Sequence, residues 1–293
     1  MPLFFIISGF LYKPKENFVR NKAKSILIPY FIFSIISFIY WITIERFFRE
    51  QDISPFSAFI NIFLAKGENQ GYVFNIALWF LPCLFMTEIL FNFLINKVKN
   101  KYIKYIILVS SIIGFIFPRI TSIRLPFCLD IVFTSIVFYY IGYALKGKLE
   151  IKGKSLSKEI IIIIALIFVV IALSILENGA NMMNLKYNYY LIFYVTACLG
   201  FYMVYMISNK INFNFLKWLG KNSLYIMAIH DPIKRVMIAI YARIIGQNSN
   251  QIRKDVIQIV IISIIILVMT SIIVKIINYL IEKFTNNRKE KLA

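Results

Sequence analysis

Apolar residues run along this chain in blocks of roughly 20, the length that carries an α-helix across a hydrocarbon core about 30 Å thick. Uncharged runs at 25–44, 72–95, 105–117, 125–145, 160–176, 187–208 and 256–281 predict seven spans. The third is short, and extends to Tyr102 if Lys104 carries its ammonium out to the interface. An eighth run, at 218–245, is polar in its middle, where His230, Asp231 and Pro232 interrupt it. Such positions survive at membrane depth only against protein or water, so this helix is expected to be internal. Residues 1–12 are apolar but make only half a span, and are expected to be the end of something longer.

The segment 45–71 carries a separate helix signal. Ser54 is placed as N-cap and Pro55 as the first helical residue, followed by Phe56, Phe59, Ile60, Phe63 and Leu64 at one-face spacing. This helix is expected to lie along the interface, either as a simple anchor or as a roof over a cavity. No repeat, low-complexity tract or linker breaks the chain, which therefore reads as one domain over 1–293. The predicted fold class is all-α: a polytopic transmembrane helical bundle of about eight full spans plus an N-terminal partial span.

Composition agrees. The 293 residues are 60% hydrophobic and 16% charged, with a mean hydropathy of +0.74. Soluble domains hold roughly 45–50% apolar and about 25% charged residues, so a soluble enzyme is excluded. The formal charge of +19 would suggest nucleic acid in a soluble chain. Its distribution argues otherwise. With alternate loops assigned inside, 21 Lys and Arg fall in 13–24, 96–104, 146–159, 209–221 and 282–293, against 11 in the opposite loops. That asymmetry places 13–24 and the C-terminus in the cytoplasm and removes the need for a nucleic-acid partner. Cys83, Cys128 and Cys198 lie inside apolar runs without paired spacing, as packing thiols do.

Ionisable groups inside spans are costly, so the few retained are candidates for function or for pairing between helices. Glu88 falls about 12 Å from the inner end of its helix and His230 about 20 Å from Lys217, at 1.5 Å per residue. Asp130 falls nearer the outer end of its span. His230, the one histidine, suits a general base acting on a hydroxyl, and equally a hydrogen-bonded structural role. Asp130 and Glu88 could orient such a base, line a substrate path or pair with a neighbouring helix. One histidine without a carboxylate cluster offers no metal ligand set. Arg20 and Lys24, four apart, share a helical face if the segment already winds into the next span, and two cations at a membrane mouth suit a phosphate-bearing ligand as well as positive-inside anchoring. Trp79 offers a stacking face for a sugar or an interfacial anchor.

Several of these segments resemble the acyltransferase 3 family, and within it the fucose 4-O-acetylase-like group. The opening Met1-Pro2-Leu3-Phe4-Phe5-Ile6-Ile7-Ser8-Gly9-Phe10-Leu11-Tyr12, the following basic loop and Leu27-Ile28-Pro29-Tyr30 are similar to its second helix and the segment after it. So are Leu78-Trp79-Phe80-Leu81-Pro82, the stretch from Leu125 and Pro126 through Asp130 to Gly142, and Gly220-Lys221-Asn222-Ser223-Leu224-Tyr225 through His230. The resemblance implies a ten-span bacterial inner-membrane O-acyltransferase that moves an acyl group, usually acetyl from acetyl-CoA, to a hydroxyl of a cell-surface polysaccharide or lipid-linked sugar. It also implies a first helix bearing a basic residue and, eleven positions on, a histidine that serves in catalysis. Neither precedes Met1, so the chain is expected to be N-terminally truncated. The family's paired arginines in the first cytoplasmic loop correspond to Arg20 and Lys24, as contacts for acyl-CoA phosphate. Two readings from other classes stand beside this one: a transporter or flippase of a lipid-linked glycan, and an inactive remnant that partners other membrane enzymes.

Overall fold

The structure is a computed structural model that describes residues 1–48, 53–67, 71–149, 156–247, 249–252 and 255–290. Arg49, Lys152, Lys154, Arg253, Lys254 and Lys291, counted above among the loop charges, lie outside the described residues. Helices account for nearly all regular structure, and there is no β-strand among the described residues. In chain order they are α1 (Pro2–Phe10), α2 (Phe18–Phe48, continuous through two wider turns), α3 (Pro55–Leu64), α4 (Phe80–Lys97, entered through a 3₁₀ turn at Ile76–Trp79), α5 (Asn100–Ile120), α6 (Leu129–Leu145), α7 (Leu156–Leu176), α8 (Tyr190–Ser208), α9 (Asn214–Lys221), α10 (Ser223–Ile245), α11 (Ser249–Ile252) and α12 (Val256–Glu290).

Seven of these helices are long and apolar enough to cross a membrane, and they correspond to the seven apolar runs. The third span is not short. It covers Asn100–Ile120, because Lys101 and Lys104 sit in its first turns with their heads outward rather than ending it. Helix α10 is also of spanning length, at 23 residues, although its polar centre keeps it out of the apolar set. It starts at Ser223 rather than near Trp218, which belongs to the separate helix α9.

Two helices form the centre. In α4 and α6, 56% of the apolar window is buried, against 6% for α7, which faces lipid. Against α6 lies α1, the half-length apolar segment, with Phe5 and Ile6 wholly buried. Glycine sets this approach. A Cβ on Gly9 would stand 1.9 Å from the Tyr139 carbonyl oxygen, and one on Gly142 would stand 1.9 Å from that of Ile6. The two backbones therefore touch through reciprocal small-residue notches, the arrangement by which helices in lipid gain van der Waals contact without a hydrophobic drive.

Prolines shape the other spans. Pro29 has no N–H to give the Ser25 carbonyl, and the turn before it, Ala23–Leu27, is widened to a π-turn. A second π-turn at Trp41–Glu45 rotates both of its end residues inward, so that Trp41 and Glu45 are buried. Pro232 likewise leaves the Ala228 carbonyl without its helical donor. The side chain of Asn75, from the turn before α4, donates to it instead at 2.7 Å. Helix α3 has the predicted start, with Ser54 as N-cap and Pro55 first, and its periodic face is partly exposed while Phe59 and Phe63 pack against Phe38 and Phe31 of α2. The residues it buries are Ala58, Asn61 and Ile62, and Tyr30 ties it to α2 through a 2.8 Å bond to the Ile62 carbonyl.

Candidate functional site

Contacts between loops define two ends of the bundle. At one, Lys22 meets Glu88, Lys146 meets the Tyr12 carbonyl, the Tyr205 hydroxyl meets the Leu149 carbonyl, and Lys210 meets Glu159. This is the lysine-rich end that the loop charges assign to the cytoplasm. At the other, Arg124 meets Asp130 and Met183, and Arg235 meets Glu45, Val73 and Asp231.

The basic end contains a cavity of about 490 Å³ whose mouth carries Lys13, Lys15 and Lys22 and whose floor carries Glu88 and Tyr139. Helix α1 delivers Ser8 to its wall, the turn that follows it delivers Tyr12, α4 delivers Glu88, and α6 delivers Tyr139. Lys22 Nζ lies 2.8 Å from Glu88 Oε1. The carboxylate is 3% exposed, and among the described residues its second oxygen, Oε2, is buried without a partner. The same holds for the Tyr139 hydroxyl. Buried polar groups are normally satisfied, so an acceptor and a donor left open on the floor of one cavity are groups that a ligand would complete. Tyr12 stands behind them, donating to Asn92 Oδ1 at 2.7 Å and ringed by Phe91, Tyr139 and Tyr143. Burial, with Tyr143 as the second cause, holds the Tyr12 phenol above its ordinary range, so it stays a neutral donor.

The cation pair read from the sequence is displaced by two residues. Arg20 and Lys24 are exposed and line neither this cavity nor the larger recess beside it, whereas Lys22, between them, points in. Residues two apart on a helix face roughly opposite ways, so the face that carries Arg20 and Lys24 is the one that Lys22 does not share. Glu88 lines this cavity. Trp79 does not stack or anchor: it is 4% exposed, folded under Cys128 by the 3₁₀ turn, with its carbonyl accepting from the Cys128 thiol at 3.6 Å.

Asp130 and His230 are not brought together. Asp130 lies at the other end of α6, where Arg124 Nε stands 2.5 Å from its Oδ2, and Arg124 also donates to the Met183 carbonyl at 2.7 Å. His230 Nδ1 lies 2.8 Å from the Met227 carbonyl, which can only accept, so Nδ1 carries the proton and Nε2 is the basic nitrogen. Its sequence neighbour Asp231 faces away to Arg235 and Lys234, at 2.7 and 2.6 Å. Sequence reasoning missed Asn75, Glu45 and Arg235. Arg235 bridges Glu45 at 2.9 Å, Asp231 and the Val73 carbonyl, and the backbone N–H of Ile76 closes the group onto Asp231 at 3.1 Å. Only the i, i+4 spacing of Asp231 and Arg235 could have hinted at it. Among the described residues no group of three or more His, Cys, Asp or Glu side chains could hold a metal.

The structure is thus a bundle of spanning helices around a basic cavity that holds an open carboxylate oxygen and phenol. The sequence profile of the acyltransferase 3 family, described as an acyltransferase domain, matches residues 1–278. The chain belongs to that family and is a membrane acyltransferase in its general class. No curated protein and no solved structure matches it.

Proposed function

We propose that the protein takes acyl-CoA, with acetyl-CoA the expected donor, at the basic cavity and passes the acyl group to a hydroxyl of a cell-surface polysaccharide or lipid-linked sugar across a bacterial inner membrane. One observation carries this reading: three lysines at the mouth of a cavity whose floor holds the unpartnered Glu88 Oε2 and Tyr139 hydroxyl. The lysines supply the charge that a nucleotide diphosphate requires, and Lys22 is fixed in place by Glu88. Transfer breaks the thioester C–S bond and forms an ester C–O bond. The proton leaves the attacking hydroxyl for a base and ends on the CoA thiolate. In this proposal the Tyr139 hydroxyl hydrogen-bonds the developing oxyanion, the role of a preorganised donor. His230 and Asp130 lie with the outer-end groups, His230 beside Asp231 and Asp130 against Arg124, so in this proposal they shape the acceptor side of the bundle rather than take the proton at the Tyr139 cavity. Arg20 and Lys24, exposed beside the mouth, steer the anionic donor towards it rather than grip it.

The test incubates membranes bearing this chain, and a version extended upstream along its reading frame, with radiolabelled acetyl-CoA and glycan. Label should move to the glycan, and Tyr139→Phe should slow transfer by about 100-fold, the usual loss for one oxyanion donor. No transfer by the extended version would overturn the proposal.

A further inference from the structure

Beside the cavity just described, and separated from it by Tyr12, lies a larger recess of about 1010 Å³ between the basic ends of α4, α5 and α6. Its lining contributes Lys101, Lys104, Lys146 and Lys148 and no carboxylate. Among the described residues none of these four ammonium groups meets an acidic side chain. Lys146 donates to the Tyr12 carbonyl, and Lys101 rests 4.8 Å from the centre of the Tyr102 ring. Tyr105, Tyr140 and Tyr143 complete the wall. Positive-inside loops scatter their lysines in water, whereas these converge on one concave space.

The recess continues into lipid. On α5, residues 101, 105, 108, 112 and 116 follow one another at helical spacing and form a single stripe. Reading up that stripe, a lysine is succeeded by Tyr105, then Leu108, Ile112 and Ile116, all exposed. At about 1.5 Å per residue the stripe is roughly 22 Å long, most of a hydrocarbon core. Charge, then a tyrosine at the depth of an interfacial belt, then an apolar lane is the order of a phospholipid from head to tail. A soluble nucleotide would use the lysines and leave the lane without a purpose.

We propose that this recess binds an anionic phospholipid of the surrounding bilayer, one with two phosphates in its headgroup, with the phosphates among the four lysines and the acyl chains along the Tyr105 to Ile116 lane. The site is distinct from the acyl-transfer cavity and does not depend on what that cavity binds.

The test measures retention of a diphosphate phospholipid of the cardiolipin type by native mass spectrometry of the purified protein. Phosphatidylcholine and phosphatidylglycerol serve as comparison lipids. The variant Lys101→Gln/Lys104→Gln/Lys148→Gln leaves Lys146 on the Tyr12 carbonyl. At about fivefold per lysine near an anionic surface, it should weaken diphosphate-lipid binding by about 100-fold. The matching Lys→Arg triple should bind normally, and Lys13→Gln/Lys15→Gln, in the neighbouring cavity, should change it less than threefold. Should the glutamine triple not fold, Lys148→Gln alone, at an exposed turn, decides the matter through a fivefold loss. Equal loss in both cavities' variants, loss in neither, equal retention of phosphatidylcholine, or displacement of the lipid by soluble CoA would each overturn the proposal.

Discussion

Replacing Gly142 by alanine tests the contact on which the basic cavity is built. The added methyl would lie 1.9 Å from the Ile6 carbonyl oxygen and 2.8 Å from both the Ile6 carbonyl carbon and the Phe10 nitrogen. A carbon and a carbonyl oxygen settle at about 3.3 Å or more, so α1 and α6 must part locally by over an ångström. The obstacle is backbone inside a helix, which cannot swing aside as a side chain does. A gap of about 1 Å forfeits a quarter to a half of each affected dispersion contact, and a buried large side chain makes about 40–60 of them. Phe5, Ile6, Phe138 and Tyr139 all lie buried near this crossing. Overpacking typically costs about 1–3 kcal/mol, and this site belongs at the upper end, about 3 kcal/mol. At roughly 2–3 °C per kcal/mol for a chain of this size, the midpoint should fall by about 6–9 °C. Cys83 and Cys128 are fully buried thiols, so a thiol-reactive fluorogenic dye in detergent reports the transition directly. Two other glycines calibrate it. A methyl at Gly114 meets side-chain tips, Thr134 Oγ1 at 2.6 Å and the Tyr190 hydroxyl at 2.9 Å, and should cost about 1 kcal/mol. A methyl at Gly200 meets nothing within 4 Å inside a helix, and should add up to about 1 kcal/mol of stability. A midpoint for Gly142→Ala within 2 °C of that for Gly200→Ala would refute the helix contact.

Arg235→Met should destabilise by about 3 kcal/mol in the same dye assay, because it removes the buried cation that Glu45 and Asp231 share, although Lys234 still meets Asp231. Arg235→Lys should recover less than half of that, since a lysine cannot span both carboxylates and the Val73 carbonyl at once. Lys13→Gln/Lys15→Gln should raise the KM for acyl-CoA about tenfold with little change in kcat in a transfer assay, and the wild-type KM should rise steeply with salt; an unchanged KM counts against the cavity as the donor site. Trp79→Ala should cost about 3–5 kcal/mol while Trp79→Phe keeps acceptor specificity, measured as kcat/KM across sugars, because the ring is core rather than a stacking platform.

The spans were legible because each is an uninterrupted apolar run, and lipid admits few other ways to satisfy the backbone. The eighth was legible through its defects: Asp231 and Pro232 require protein around them, and Ala228 and Asp231 are indeed 1% exposed. What fills those defects was not legible. Nothing in the sequence around Asn75 says that its amide replaces the donor Pro232 lacks, at the Ala228 carbonyl 153 residues further along the chain, because that pairing exists only once α10 is laid against the turn before α4. The periodic face of α3 was read correctly as a helix, yet periodicity cannot say how much of an apolar stripe meets protein, and here Phe59 and Phe63 rest on α2 while Phe56 stays exposed. For the cation pair, a spacing of four says nothing of which way the shared face turns, and the π-turn at Ala23–Leu27, which contains Lys24, alters that rotation.

Charge pairing separates the two ends of the molecule. At the outer end Arg235 lies against both Glu45 and Asp231, and Arg124 lies against Asp130. Those groups consume one another's charge, so they hold the helices together and leave little field for a ligand. At the basic end the two adjoining cavities gather Lys13, Lys15, Lys22, Lys101, Lys104, Lys146 and Lys148 in their linings, and one carboxylate, Glu88. Ammonium groups crowded into concave spaces repel each other, and low-dielectric walls strengthen that repulsion. An arrangement so unfavourable in isolation is stabilised by anions from outside the chain. The tyrosine wall at Tyr12, fixed by Asn92 and Lys146, then divides that field into two compartments. One has open polar atoms on its floor, suited to chemistry on a reactive ligand. The other opens on an apolar lane, suited to holding a lipid.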